Sequence, residues 1–130
     1  MYDTNVFALF DVVAAFMPLL VAAVPNANHA HTIVNVASVL ARIPYPFASA
    51  HNASKAAVSA YSDTLRLELN PLGIRVVTLF MGEVSTGLMS TDNISFGPDS
   101  LHADLEVKVK ERSLAHIKTS IRPQALHNRL

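Results

Sequence analysis

The sequence contains no cysteine, and its 130 residues include only 4 glycines. The lack of cysteine excludes disulfide bonds, structural zinc bound by thiolates and a cysteine nucleophile, and it is typical of a reducing compartment such as the cytoplasm. An excess of charge is missing as well, because 10 basic residues balance 10 acidic ones. Without a basic patch, nucleic acid is not an expected partner.

The histidines lack the spacing that a metal site requires. Beyond the close pair His29 and His31, they stand at no ligand spacing from carboxylates or from one another. We therefore predict no metal. We expect the histidines outside the motif described below to lie on the surface, namely His29, His31, His102, His116 and His127.

Apolar residues are plentiful, at 51% of the chain, which is enough for a hydrophobic core. The longest apolar run extends from residue 6 to residue 24, with Asp11 as its only charge, and approaches the length of a membrane-spanning helix. Pro18 interrupts this run, however, and no Lys or Arg occurs before Arg42. We therefore predict a helix over residues 4–24, capped by Thr4 and buried between two apolar neighbours, rather than a membrane span.

The rest of the apolar pattern predicts a strand, a helix and a second strand. The β-branched run at residues 32–36 is typical of a buried strand, a helical pattern covers residues 52–69, and residues 74–80 form another continuous apolar run. Prolines and glycines separate these elements, at positions 44, 46, 71 and 73. Continuous apolar strands are typical of parallel sheets, so the pattern predicts a βαβ unit.

A last amphipathic helix, capped by Asp99 or Ser100, is expected to end near Lys118. Two parallel strands alone leave unpaired backbone groups at both edges of the sheet. The sheet is therefore expected to be completed by a missing N-terminal half or by another chain, or else to belong to a marginally stable fragment.

Three polar residues stand at one corner of this pattern. Ser38 follows the first strand, and His51 and Lys55 lie four positions apart at the start of the second helix. This order resembles the active site of the short-chain dehydrogenases/reductases, in which a strand-end serine is followed by Tyr-x-x-x-Lys. His51 stands where the family has its tyrosine. Asn5, on the preceding helix, resembles the family asparagine that holds a water and completes a proton relay.

A further segment resembles the part of the family that contacts the nicotinamide. Residues 81–86 have the sequence Met-Gly-Glu-Val-Ser-Thr, which is similar to the family's Pro-Gly-x-Val-x-Thr with Met81 in place of proline. The resemblance implies cofactor-binding roles for Gly82, Val84 and Thr86, in addition to Lys55. The Pro-Tyr-Pro-Phe loop and the second helix are similar to those of acyldihydroxyacetone-phosphate reductases in particular.

The resemblance implies an α/β fold, specifically a partial Rossmann-like doubly wound parallel sheet. Because no Gly-x-x-x-Gly-x-Gly follows a strand, the chain is expected to lack the N-terminal nucleotide-binding half, and with it the seat of the cofactor pyrophosphate. We expect a single partial domain over residues 1–130, with a catalytic core at residues 1–87 and a substrate-loop and C-terminal helix region at residues 88–130.

The resemblance also implies the chemistry, that of an NAD(P)-dependent oxidoreductase that reduces a ketone or oxidises a secondary alcohol, present as a truncated or divergent form. NADP(H) is the expected cofactor, with NAD as the alternative, and the substrate is a small carbonyl compound or alcohol. Ser38 would bind the carbonyl oxygen, and Lys55 would bind the nicotinamide ribose. The alternative for Ser38 is a strand-end serine that only satisfies backbone groups.

His51 leaves two interpretations open. An imidazole can donate a proton, but it reaches roughly 2 Å less far than a phenol, and the Lys55 ammonium disfavours its protonated form. His51 is therefore either a general acid that works with a water or a helix-start residue without catalytic function, in which case Tyr45 is a substitute phenol. Arg42, in the loop nearby, is either a contact for an anionic substrate or a solvated side chain.

A different class of function stays open. A catalytically inactive family member could act as a dimerisation or binding module, since the resemblance implies that the helices at residues 4–24 and 52–69 form a dimer interface. A homo-oligomer through these helices is expected in either case. Attachment to a membrane through residues 6–24 is the third hypothesis.

Overall fold

The computed structural model describes residues 1–26, 28–84 and 90–120, so Thr86 and His127 lie outside the described residues. The chain divides into two compact units, Met1–Gly82 and Glu83–Leu130. Both predicted strands and the two long predicted helices belong to the first unit.

The first unit is a parallel βαβ arrangement preceded by a long helix. A π-helical segment, Asp3–Phe7, leads into helix α1, Ala8–Ala23; strand β1, Thr32–Ser38, and strand β2, Arg75–Met81, are joined by helix α2, Ser49–Leu69. Short 3₁₀ turns follow α1, β1 and α2, at Val24–Asn26, Val39–Ala41 and Asn70–Leu72. The strands form a two-stranded parallel sheet in which Thr32 is opposite Arg75 and Ser38 is opposite Met81. The predicted α/β class, parallel strands and crossover helix are confirmed.

Two predicted helix caps are wrong. The first helix begins at Asp3, so Thr4 lies inside its π-helical start, and no side chain caps this end. The last helix, α3, spans Glu106–Thr119. Ser100 accepts the N–H of His102 at 3.2 Å in a short turn instead of capping a helix. At Ser100 a local turn uses the hydroxyl that the sequence pattern assigned to a cap.

The core of the first unit lies between α1, α2 and one face of the sheet. Its buried members are Val13, Leu65, Leu69, Ile74 and Val76, with Leu9, Met17, Leu20, Val24, Ile33 and Tyr61 packed against them. Complete burial of an aliphatic side chain stabilises a fold by about 1.5–3 kcal/mol, so this cluster is the main apolar contribution to the stability of the unit.

Helix α1 is covered on one side only. The continuous helical stretch Asp3–Asn26 is 24 residues long, and its most apolar window has a mean hydropathy of 2.4 with 11% of the window buried. Phe16 and Leu19 are 56% and 66% exposed. The expectation that two apolar neighbours bury this helix is wrong within this chain, because the core meets only its inner side. By length and composition alone, the stretch could also cross a membrane.

The sheet, too, is covered on one face. The face that carries Asn35 and Ala37 lies under α2, and both residues are buried. On the opposite face, Val34, Val36 and Leu79 are 51%, 52% and 43% exposed. An apolar sheet face that is open to solvent agrees with the prediction that this sheet needs a further partner.

Gly73 ends the α2 segment with a φ of 77°, in the left-handed region. Its N–H donates to the Asn70 carbonyl at 3.1 Å. Glycine adopts this conformation without steric cost, whereas a Cβ here would lie 3.2 Å from Val24 Cγ1. The predicted stop of the helix at Pro71 and Gly73 is confirmed.

The described part of the second unit contains α3 and two 3₁₀ turns, Thr91–Asn93 and Ala103–Leu105. At the start of α3, Glu106 accepts hydrogen bonds from Lys110 and from the N–H of Phe96, and these bonds lower the pKa of the Glu106 carboxyl. Near the end of α3, His116 Nδ1 lies 2.9 Å from Glu83 Oε2. Polar contacts therefore fix this helix, which has no fully buried residue.

Candidate active site

Ser38 lies at the carboxyl end of β1, the end at which parallel sheets bind ligands. Its Oγ accepts the N–H of Leu40 at 3.1 Å and so caps the 3₁₀ turn Val39–Ala41. This is the backbone role that was the alternative for this serine. The hydroxyl proton is not used in that role and has no acceptor among the described residues, so Ser38 can still donate to a carbonyl oxygen.

His51 and Lys55 lie one turn apart on α2, so their side chains share a face of the helix. Lys55 Nζ donates to the carbonyl of Val36 at 3.1 Å, and Val36 lies on β1 two residues before Ser38. An ammonium carries three donors, so this bond leaves two of them for other groups. The structure thus brings the start of α2 to the strand end that carries Ser38.

His51 is half-buried beside Lys55. Burial lowers the pKa of the imidazole below its ordinary value of 6.5, and the positive charge of Lys55 lowers it further. At neutral pH the ring is therefore uncharged and carries a single N–H. Within the part of the chain that the structure describes, the imidazole has no hydrogen-bond partner, so this N–H can donate to a ligand.

Asn5 reaches the same turn of α2 from the π-helical segment. Its Nδ2 donates to Ser54 Oγ at 3.1 Å, and Ser54 Oγ donates to the carbonyl of His51 at 2.8 Å. The π-helical start is closed by the Ala8 N–H, which donates to the Asp3 carbonyl. Turns of this type occur frequently at functional sites. Asn5 is therefore linked to His51 through a single hydroxyl.

The loop before α2 contains a strained residue, Phe47, whose φ is 62°. A residue with a Cβ in the left-handed region costs about 1–2 kcal/mol, and such strain clusters at functional sites. The turn begins at Tyr45, whose carbonyl accepts the N–H of Ala48 at 3.3 Å. Helix α2 starts directly afterwards, at Ser49 rather than at the predicted residue 52, because Pro46 is the last residue that opposes a helix.

The predicted nicotinamide-binding residues are only partly described. Gly82 follows β2 directly, at the same end of the sheet as Ser38, because Met81 is opposite Ser38. Among the described residues, no atom lies within 4 Å of a Cβ built at Gly82, so the space beside it is open. Val84 belongs to the second unit, and Thr86 lies outside the described residues.

The described residues fit one half of a nicotinamide dinucleotide. The two unused donors of Lys55 suit the hydroxyls of a ribose, and no described atom crowds the position beside Gly82 at the end of β2. For the pyrophosphate, the described part of the chain offers no glycine-rich turn at a helix N-terminus. The fit therefore covers the nicotinamide end only.

Sequence reasoning missed the contacts of two residues in and around the site. It did not single out Ser54, although a buried serine inside a helix usually has a specific partner, and its place directly before Lys55 was a usable signal. Arg42 is held against α2, since its Nη2 donates to Ser59 Oγ at 3.1 Å and lies 3.4 Å from the Asp63 carboxylate. Away from the site, directly before β1, His31 lies only partly on the surface, since it is half-buried and its Nε2 is buried without a partner among the described residues.

Comparison with known proteins identifies the family. A family model described as short chain dehydrogenase matches residues 1–95. The short-chain dehydrogenase virD of Hypocrea virens is 35% identical over 131 residues, which cover 98% of this chain and 43% of that protein. The NADPH-dependent 1-acyldihydroxyacetone phosphate reductase of Schizosaccharomyces pombe is 41% identical over 88 residues, which cover 68% of this chain and 28% of that protein.

The fold has a solved counterpart. A short chain dehydrogenase from Burkholderia cenocepacia, in complex with NADP, is similar with a TM-score of 0.60 and 25% identity, over 99% of this chain and 56% of that one. The predicted partial Rossmann-like fold is confirmed by this likeness. The chain spans less than half the length of the two curated relatives named above, 43% and 28%. Because the family match covers residues 1–95 of 130, the chain belongs to the short-chain dehydrogenase/reductase family.

Proposed function

We propose that the chain carries the proton-donating half of a carbonyl reductase site, which acts on a small ketone or, in reverse, on a secondary alcohol. The observation that carries this proposal is the pair of unused donors at one corner of the fold. The Ser38 hydroxyl proton and the His51 N–H have no acceptor among the described residues, and Lys55 lies between the strand end and the helix start that carry them.

Each side chain has a role that its contacts allow. Ser38 donates its free hydroxyl proton to the carbonyl oxygen and so orients the substrate. His51 donates its single N–H proton to the oxygen as negative charge develops there; a water then returns a proton to the ring, and the solvent protonates the hydroxide that is left. The lowered pKa of His51 makes the neutral ring its form at pH 7, so donation proceeds from imidazole rather than from imidazolium.

The cofactor would be held at its nicotinamide end. Lys55 donates to the ribose hydroxyls, Gly82 leaves room for the ring, and Val84 and Thr86 are predicted to complete this contact. When bound, the reduced cofactor supplies the hydride. NADPH rather than NADH is supported by the name of the Schizosaccharomyces pombe relative and by the NADP complex of the Burkholderia cenocepacia structure.

The test compares His51→Tyr with His51→Phe, two variants that differ only in a phenol hydroxyl. We expect His51→Tyr to increase NADPH-dependent reduction of a test ketone by this chain, because a phenol reaches further than an imidazole and Lys55 stabilises its ionised form. His51→Phe should give no increase. Equal rates for the two variants would contradict the proposed role of this position.

Cofactor binding is tested separately by calorimetry. We expect the chain to bind NADPH more tightly than NADH, and Lys55→Met to weaken the binding of both. If neither nucleotide binds at millimolar concentration, the enzymatic proposal fails.

A second candidate function is an inactive module that pairs with another copy of the chain or with a full-length relative. The exposed apolar side chains of α1, among them Phe16 and Leu19, favour it. Analytical ultracentrifugation tests it, since a stable soluble monomer would contradict pairing. A location in the cytoplasm stays a prediction, based on the absence of cysteine.

A further inference from the structure

Ser54 is a fully buried polar residue in the first turns of α2, with 0% of its surface exposed. Its hydroxyl makes two hydrogen bonds. It accepts one from Asn5 Nδ2 at 3.1 Å and donates one to the carbonyl of His51 at 2.8 Å. The hydroxyl thus joins two chain segments that are 49 positions apart in sequence.

Farther along the same helix, Ser62 makes a closely similar pair of bonds. It is also 0% exposed, accepts a hydrogen bond from Asn35 Nδ2 at 2.9 Å and donates to the carbonyl of Val58 at 2.7 Å. The difference between the two serines is what they join. Ser62 ties α2 to the middle of β1, whereas Ser54 ties the turn that carries His51 and Lys55 to Asn5.

Asn5 supplies the other end of this contact. Asn5 is half-buried and lies in the π-helical segment, next to the buried anchor Val6. The bond to Ser54 uses one proton of the amide nitrogen, and the amide oxygen has no donor within the described residues. The bond to Ser54 is therefore the one hydrogen bond of this amide among the described residues.

We propose that Ser54 is a positioning residue for the site formed by Ser38, His51 and Lys55. Its hydroxyl joins the Asn5 amide to the His51 carbonyl, and so holds the turn of α2 that carries His51 and Lys55 against the π-helical segment. This inference rests on the proposed function and adds the residue that aligns its proton donor.

The kinetic test compares Ser54→Ala with the matched control Ser62→Ala. We expect Ser54→Ala to lower kcat for ketone reduction at least about 10-fold with KM changed less than about 2-fold, since misplacement by about 1 Å costs roughly 10²-fold. Ser62→Ala should leave both constants within about 2-fold at temperatures where it is folded, and Ser59→Ala serves as control if Ser62→Ala is unfolded. Equal loss of kcat in Ser54→Ala and in the control would overturn the proposal.

A second variant removes the same contact from the other side. Asn5→Asp keeps the shape of the side chain but replaces the donating nitrogen by an oxygen, so it can no longer donate to Ser54 Oγ. We expect it to lower kcat as much as Ser54→Ala does, and the double variant to lose no more than either single one. Fully additive losses would show that the two residues act separately, and they would refute the proposal.

A readout without turnover separates this inference from the proposed function. In NMR spectra of the chain, Ser54→Ala should shift the Asn5 side-chain amide signals and change the pKa of His51, whereas the control serine variant should do neither. If wild type has no reductase activity but the NMR changes occur, the proposed function fails and the positioning contact stands. If Ser54→Ala leaves both signals unchanged, the positioning inference fails whatever the activity.

Discussion

Replacement of Ser62 by alanine should destabilise the chain, because it leaves a buried amide without its partner. Asn35 lies in the middle of β1 with 3% of its surface exposed, and its Nδ2 donates to Ser62 Oγ at 2.9 Å. After Ser62→Ala this nitrogen has neither the hydroxyl nor solvent to bind. The hydroxyl's own bond to the Val58 carbonyl matters less, since that carbonyl lies within α2 and also accepts from the helix backbone.

The magnitude follows from the cost of an unpaired buried donor, about 1–3 kcal/mol. This corresponds to an increase of about 5- to 150-fold in the equilibrium constant of unfolding, at 1.4 kcal/mol for each tenfold change. Replacing both partners by apolar groups removes the unpaired donor. Asn35→Leu in the Ser62→Ala background should therefore recover most of the lost free energy of unfolding.

Urea unfolding followed by circular dichroism measures these quantities, with the wild type, both single variants and the double variant completing a double-mutant cycle. The reasoning is refuted if Ser62→Ala lowers the free energy of unfolding by less than about 0.5 kcal/mol, the ordinary effect of a surface substitution. It is also refuted if Asn35→Leu fails to improve the stability of Ser62→Ala.

Three further predictions concern His51 and Gly73. Lys55→Met should raise the pKa of His51 by removing the like charge, while burial keeps it below 6.5, and an NMR titration in which this pKa falls or stays the same would contradict the assignment. The folded state lowers the pKa of His51, so the unfolded chain binds more protons and the free energy of unfolding should fall as the pH drops below 6.5. In His51→Gln, urea unfolding should no longer show this part of the pH dependence. Gly73→Ala should lower the free energy of unfolding by about 1–2 kcal/mol, because the φ of 77° disfavours a Cβ that would also lie 3.2 Å from Val24 Cγ1, and unchanged stability would refute this.

The sequence was sufficient to predict the elements whose signals are local. The β-branched run before Ser38, the helical pattern that Pro71 and Gly73 end, and the second apolar run gave the two strands and the crossover helix, because periodicity and chain breakers act over a few residues. The starts of the helices were predicted less well. Thr4 is a good cap by residue type, but residues 3–7 form a π-helix instead. Contacts with residues distant in sequence decide between these two conformations.

The candidate site residues were proposed from the sequence, but the contacts that join them were not. The spacing of Ser38, His51 and Lys55 carries the motif, so a sequence pattern can find it. The bond from Lys55 to Val36 and the bonds through Ser54 join residues that are far apart in sequence, and only the packing of α2 on the sheet and on the first helical segment brings them together. For the same reason the exposure of α1 could not be predicted, since it depends on which surfaces other elements cover.

The π-helical segment Asp3–Phe7 also affects how this chain is aligned with its relatives. A π turn accommodates an extra residue over nearly the same length of helix axis, so a relative that is α-helical throughout this region would differ by a one-residue gap inside the segment. Placing the gap farther along the helix would displace each residue in between by one position, which is about 100° around the axis. Asn5 would then be paired with a residue on another face, and a sequence comparison would miss its match with the family asparagine.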